Sequence, residues 1–281
     1  MKKQIPANQP EAITLSHSQM ETWQQCQFKW RLTKIDKVPR APSEALILGT
    51  ACHGALEADG KHRIANKASL PDYQLLAAFD EVMQAELTKS DPDHLIKPAH
   101  IIAMRAKAQL MIAKYCAIVQ PTYRPLAVEQ EINFTVSDDV RFTGRLDAVT
   151  VKGIVDFKTA GKPWAAEVQH SKDQASAYLM TRPDVASVSF AVFSTDGTTC
   201  QFQSLPTQRT EAQITDYQAK VRAVAQQIKT AKATNDFQAN PGPLCGWCEA
   251  LGSCTAGMAW LKVKGRVPQV PVIQAKQETT A

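Results

Sequence analysis

Apolar side chains recur along this chain with two different periods. Ile101, Met104, Ala108, Met111, Tyr115 and Ile118 fall at alternating three- and four-residue steps, which predicts a helix with one buried face. Ile214, Tyr217, Val221, Val224, Ile228 and Ala231 repeat that spacing and predict a second, long helix. Between them, Val128, Ile132, Phe134 and Val136 interleave with Glu129, Glu131, Asn133 and Thr135, the period of a strand buried on one side. Ser16 or Ser18 is placed to cap a helix running to about Lys34, with Met20, Trp23 and Trp30 on its apolar side. After a loop marked by Pro39 and Pro42, a helix starts near Ser43 or Glu44 and continues to Asp59, its Gly49 implying close packing there. A third helix follows Pro71, residues 165–181 read as a helix ended by Pro183, and 185–195 and 200–205 read as strands.

The stretch from Gly144 to Thr159 reads as two short strands joined by a tight turn at Lys152 and Gly153. That turn pairs Val151 with Ile154, sets Val149 opposite Asp156 and sets Asp147 opposite Lys158. Directly opposed residues share a sheet face. Two acids and a lysine then gather on one side, with Leu146, Ala148, Val155 and Phe157 on the other. The element order implies an α/β fold, a mixed central sheet with helices on its faces. We expect a disordered leader over 1–13, one domain over 14–261 and a flexible tail over 262–281. Within the domain, 14–125 is helical, 126–205 holds the catalytic sheet, and 206–261 holds a helix and a cysteine trio.

Composition narrows the class. The 281 residues, 44% hydrophobic and 21% charged, are those of a globular protein with a real core. A net charge of +5 permits contact with nucleic acid without arguing for it. The most apolar helical stretch, 99–119, is interrupted by Arg105, Lys107 and Lys114, so no membrane contact is expected. Two lysines near the N-terminus are followed by no apolar run, and the seven cysteines are an odd count, unlike a paired disulfide scaffold. The cytoplasm is the expected address.

Two carboxylates beside a lysine are what metal-dependent phosphodiester cleavage requires. The acids hold a hard Mg²⁺ or Mn²⁺ ion through oxygen, and the lysine orients the attacking water or offsets developing charge. A surface ion pair on a hairpin is the bland alternative from spacing alone.

The run from Gly144 to Lys158, with Asp147 and then Asp156, Phe157 and Lys158, resembles the PD-(D/E)XK nucleases, particularly the RecB-like branch. The stretch from Leu48 to Glu57 resembles that family's upstream histidine motif, and Gln174 with Tyr178 resembles its glutamine-then-tyrosine helix. The resemblance implies a restriction-endonuclease-like fold. It also implies that His53, Asp147, Asp156 and the main-chain carbonyl of Phe157 ligate the cation, that Lys158 serves the attacking water, and that Gln174 and Tyr178 abut the site. Family members often carry a glutamate near Glu129 and Glu131, and the spacing does not say which one matters. His17, His62, His94, His100 and His170 sit in no comparable motif.

Cys245, Cys248 and Cys254 form C-x2-C-x5-C after a Pro-Gly-Pro segment, one ligand short of a four-cysteine site, and Cys26 is the obvious fourth. One early cysteine plus a late trio is similar to the iron–sulfur subset of RecB-like nucleases, which includes the AddB nuclease domain and the exonuclease of CRISPR spacer acquisition. That resemblance implies a [4Fe-4S] cluster joining the N- and C-terminal helical segments, with structural Zn²⁺ as the physical alternative. Cys52, Cys116 and Cys200 read as core residues.

The resulting expectation is a metal-dependent DNA exonuclease acting on single-stranded or end-frayed DNA in recombination, repair or CRISPR adaptation. Arg31, Lys34, Arg145, Lys162, Trp164 and Trp247 are candidate strand contacts. No G-x-x-x-x-G-K-[ST] segment is present, which leaves open action alone, with a separate helicase, with a recombinase or with CRISPR adaptation proteins. The competing reading is a non-cleaving DNA-binding scaffold subunit; retention of His53, Asp147, Asp156 and Lys158 together argues against it.

Overall fold

The computed structural model describes residues 12–38, 43–89 and 96–273. The loop at Pro39 and Pro42 and most of the expected leader lie outside them. Ile13, assigned above to the leader, already belongs to a strand.

The order is β1 (Ile13–Leu15), α1 (His17–Gln25), α2 (Gln27–Lys34), α3 (Glu44–Asn66), α4 (Asp72–Thr88) and α5 (Pro98–Lys114). Then come β2 (Pro125–Ser137), β3 (Val140–Thr150), β4 (Gly153–Ala160), α6 (Asp173–Thr181), β5 (Val188–Thr195), β6 (Cys200–Thr207), α7 (Glu211–Thr234) and α8 (Thr255–Val263). The sheet is mixed, ordered β1-β3-β4-β5-β6 with β2 also on β3. Helices α3, α4 and α5 bury Phe79, Met104 and Tyr115 against one face, together with Ala148 and Phe157. On the other face, α1, α2, α6 and α7 bury Trp23, Trp30, Tyr178 and Ile228. No described helix is long and apolar enough to cross a membrane.

The helix expected over 16–34 is broken. Ser16 caps α1 by accepting from the Gln19 N–H, and Cys26, extended at φ −166° and ψ 112°, ends it and caps α2. The apolar stripe of α5 continues into a π-helical turn at Tyr115–Val119, which buries Tyr115 and leaves Ile118 half exposed. Close approach in α3 occurs elsewhere than expected. A Cβ on Gly49 would sit 3.4 Å from Thr159 Oγ1, an ordinary contact, whereas one on Gly60 would lie 2.5 Å from Val128 Cγ1.

The hairpin register also differs. Thr150 pairs with Gly153, Val149 with Ile154 and Ala148 with Val155, so the turn residues are Val151 and Lys152. Gly153 follows the turn at φ +131°, and Thr150 Oγ1 accepts from the Lys152 N–H and donates to the Gly153 carbonyl. Asp147 therefore does not face Lys158. Nor do Leu146 and Ala148 share a layer: Leu146 packs with Tyr178 and Leu179, Ala148 with Tyr115 and Phe157. On β2 the break in alternation falls at Glu129, whose φ is +48°; Val128 lies in the α3–α5 layer and Ile132 in the α6 layer.

The tail also starts later than expected. α8 runs to Val263, the Gln269 N–H donates to the Gly246 carbonyl at 2.7 Å, and Ile273 is buried.

Candidate active site

β1 and β4 share one edge of β3. β1 pairs in parallel with Val140–Phe142, and the β4 ladder stops at Ala148 and Val155. Asp147 lies in the gap between them. There β4 splays away, and the side chain replaces the missing ladder bond: Asp147 Oδ2 accepts from the Phe157 N–H at 2.8 Å. The same oxygen lies 3.4 Å from Nδ1 of His53 on α3. Glu129 completes the cluster. The ligating atoms of His53, Glu129 and Asp147 all lie within 4.8 Å of one another, the spacing of donors around one ion.

The left-handed backbone of Glu129 is the local cause, since it turns this one residue of β2 out of strand alternation. Glu131 instead points to solvent, 3.5 Å from Arg145. This settles which glutamate joins the cluster, and no periodicity could have found it.

Asp156 sits behind that trio and is 1% exposed. Its Oδ1 accepts from Tyr178 at 2.6 Å and from Gln174 Nε2 at 2.9 Å, both on α6. Its Oδ2 lies 2.8 Å from Lys158 Nζ but has no well-aligned hydrogen bond. A buried carboxylate oxygen so placed is an acceptor that a cation can fill. His53, Asp147, Asp156, Lys158, Gln174 and Tyr178 are thus brought together, and Phe157, whose carbonyl is the expected further ligand, is held beside them by its N–H bond to Asp147.

The electrostatics follow from burial beside like charge. Burial raises the Asp156 pKa and the neighbouring Asp147 raises it further, against the pull of Lys158. Burial, Asp147 and Glu57 likewise raise Glu129. At His53, burial disfavours the imidazolium, but hydrogen bonding and attraction from Asp147, with Asp156 behind it, prevail and hold its pKa above the usual value. Perturbed groups of this kind concentrate where chemistry is done.

A rigid shell supports the cluster. Tyr115 and Tyr123 meet the Phe157 ring edge-on at 6.2 and 5.8 Å. Tyr115 is fixed by a 2.6 Å hydrogen bond to the fully buried Asp59, which also accepts from Arg63 at 2.7 Å and from the Leu70 N–H at 2.7 Å.

Cys26, Cys245, Cys248 and Cys254 line one common cavity. Backbone N–H groups point at three of the sulfurs: Lys29 and Asn240 at Cys26 (3.4 and 3.5 Å), Gly242 at Cys245 (3.3 Å) and Gly257 at Cys254 (3.3 Å). Burial raises the Cys248 and Cys254 thiols, and Cys26 and Cys245 add to the effect at Cys254. A Lys29–Glu249 ion pair at 3.0 Å joins α2 to the cysteine loop, a link the sequence did not suggest. Cys52 is buried against Met111, while Cys116 and Cys200 are partly exposed.

Of the candidate strand contacts, Arg31 is engaged by Asp36 and the Phe237 ring, Arg145 by Glu129 and Glu131, and Trp164 by Phe190 and Lys172. Trp247 remains 62% exposed. His17 packs with Glu21 and Tyr217, and His94 lies outside the described residues.

The sequence profile of the PD-(D/E)XK nuclease superfamily matches residues 14–255. No curated protein matches the chain. Among solved structures it is similar to a proposed exonuclease from Eubacterium rectale, at 13% identity over 92% of this chain and 91% of that one, with a TM-score of 0.54. It is also similar to SSO0001, at 12% identity over 89% and 90% of the chains with a TM-score of 0.41. A third similarity is to LHK-Exo in complex with dAMP, at 12% identity over 65% of this chain and 98% of that one, with a TM-score of 0.28. The first of these likenesses supports the fold.

Proposed function

We propose that this chain, which belongs to the PD-(D/E)XK nuclease superfamily, is a divalent-metal-dependent deoxyribonuclease of the RecB-like iron–sulfur branch. Its substrate is single-stranded or end-frayed DNA, cut as an exonuclease in recombination, repair or CRISPR adaptation. The observation that carries this reading is the convergence of His53, Glu129 and Asp147 within 4.8 Å, with Asp156 and Lys158 alongside.

One imidazole with two carboxylates is a mixed nitrogen and oxygen set that suits Mn²⁺ better than Mg²⁺. His53, Glu129 and Asp147, with the unaligned Oδ2 of Asp156, would hold the ion. Bound there, a divalent cation neutralises phosphate charge and acidifies a water ligand. Lys158 keeps a positive charge at the edge of the cluster, where it can orient the nucleophile and offset the charge on the phosphoryl oxygens. Tyr178 and Gln174 hold Asp156 in one orientation, leaving its second oxygen turned to Lys158.

The four cysteines would hold a [4Fe-4S] cluster. They share one cavity and receive backbone N–H donors, as cluster thiolates do. An absorption spectrum of anaerobically purified protein tests this: a colourless, zinc-loaded protein overturns the iron assignment.

For the activity, labelled single strands are incubated with Mn²⁺ or Mg²⁺. Cleavage is expected, faster with Mn²⁺, and lost in Asp147→Asn and Lys158→Ala proteins that keep the wild-type circular dichroism spectrum. Failure of cluster-loaded protein to cut with either ion sinks the enzyme reading.

A further inference from the structure

A cleft of about 620 Å³ opens beside the acidic cluster. Its floor includes Thr159, Ala160 and Gly161, the residues that directly follow Lys158 on β4. One wall is α5, with Lys97 just before it and Lys107 within it. Trp247, which sits between Cys245 and Cys248, also lines it. The cleft is large enough for one or two nucleotides.

Three features point to its occupant. Trp247 presents a large ring to solvent at 62% exposure, and the Gln269 N–H bond to the Gly246 carbonyl anchors the loop that carries it. An exposed tryptophan on an anchored loop is poor design for a bare surface and well suited to stacking. Lys97 and Lys107 add positive charge along the same walls, while Glu44, the one carboxylate among the described lining residues, is hydrogen-bonded to His100 at 2.6 Å. The cleft also shares Thr159 and Met111 with a small cavity that His53 and Lys158 line, which sets it next to the cation site.

We propose that this cleft binds a single DNA strand, one base stacked on Trp247 and neighbouring phosphates on Lys97 and Lys107, leading into the site at Lys158. A free π-face is offered by an unpaired base and not by a base inside a duplex. The cysteine loop then has a second task besides closing the fold, because it carries the ring that grips the substrate. This rests on the nuclease reading for its substrate class, but binding and cutting are measured separately.

The test is fluorescence anisotropy of a labelled oligothymidylate in EDTA, so that nothing is cut. Trp247→Ala is expected to weaken binding about 5- to 150-fold, the factor of one lost base stack. Trp247→Tyr is expected to recover most of it and Trp247→Leu none, with the visible absorption of all three proteins matching wild type. Replacing both Lys97 and Lys107 by Ala is expected to flatten the slope of log affinity against log salt by ~1.4, at ~0.7 per phosphate contact. If the chain cuts nothing yet loses oligothymidylate affinity with Trp247→Ala, the nuclease reading fails and the cleft stands. If Trp247→Ala or Trp247→Leu binds as tightly as wild type, or duplex competes as well as single strand, the cleft proposal is overturned.

Discussion

Asp147 answers to two partners through a single oxygen. Its Oδ2 takes both the Phe157 N–H and the contact from His53, so Oδ1 is left for an incoming ligand. That arrangement makes the cation and the proton on His53 competitors. The metal-free site holds the imidazolium above its ordinary pKa, and it also raises the carboxyls of Glu129 and Asp156. All of these protons must leave for the ion to bind, so apparent Mn²⁺ affinity is expected to rise with pH through a midpoint above the usual imidazole value near 6.5. The metal-free protein shows the opposite sign. A raised His53 pKa stabilises the fold below the unfolded value, and that contribution fades as pH rises through the folded value. Calorimetric Mn²⁺ titrations at several pH values test the first, and urea unfolding of metal-free protein tests the second. The two nearby glutamates separate the same way: Glu129→Gln is expected to weaken Mn²⁺ at least ~10-fold, in the range seen when a site loses an oriented contact, while Glu131→Gln leaves it unchanged. The acids and the lysine were legible because their types and order carry the chemistry. Choosing between Glu129 and Glu131 was not, because the choice depends on a positive φ that no alternation pattern encodes.

Among the elements, those with long regular periods were readable and those with a local interruption were not. The stripe in α7 gave the right element, since burying one continuous face dominates its energy, whereas β2 was legible as a strand but not in which side chains share a layer. The interruptions fell where the structure has other work. Cys26 splits the first helix because an extended residue there aims its sulfur at the cysteine loop, and the π-turn after α5 lets Tyr115 reach Asp59. The hairpin register slipped because Gly153 was read as the second turn residue when it is the residue after the turn. Helix α3 makes a prediction at this scale. Gly60→Ala gains roughly 1 kcal/mol of helix propensity but forces a Cβ to within 2.5 Å of Val128 Cγ1. Overpacking of that kind costs about 1–3 kcal/mol, so a net loss of thermal stability is expected, relieved by Val128→Ala in the same chain. Helix α6 makes another. Tyr178→Phe removes a 2.6 Å hydrogen bond from a buried carboxylate, which is expected to cost about 1–3 kcal/mol of stability and to lower kcat while leaving KM for the strand unchanged.

For the whole molecule, the consequence lies in how the two ends of the chain are joined. α1 and α2 pack on one face of the sheet, and the cysteine loop follows α7 in the chain. Aside from the four thiols, Lys29 of α2 pairs with Glu249, the Gln25 carbonyl at the end of α1 accepts from Asn240, and Leu32, Leu244 and Leu251 line the shared cavity. A single partly exposed ion pair contributes about 1 kcal/mol, too little to hold a loop closed alone. With the proposed cluster in place, bonds to iron would add to that closure, and their loss is expected to open this corner before it opens the sheet. In Cys245→Ala protein, hydrogen exchange is expected to quicken over residues 26–34 and 239–263 while β3, β4 and α6 keep their protection. Solubility and strand binding fall with it, because Trp247 rides on the freed loop, yet hydrolysis of a short phosphodiester persists in the folded fraction. Uniform loss of protection across the sheet in that variant refutes a local clamp and makes the cluster part of the core's own stability.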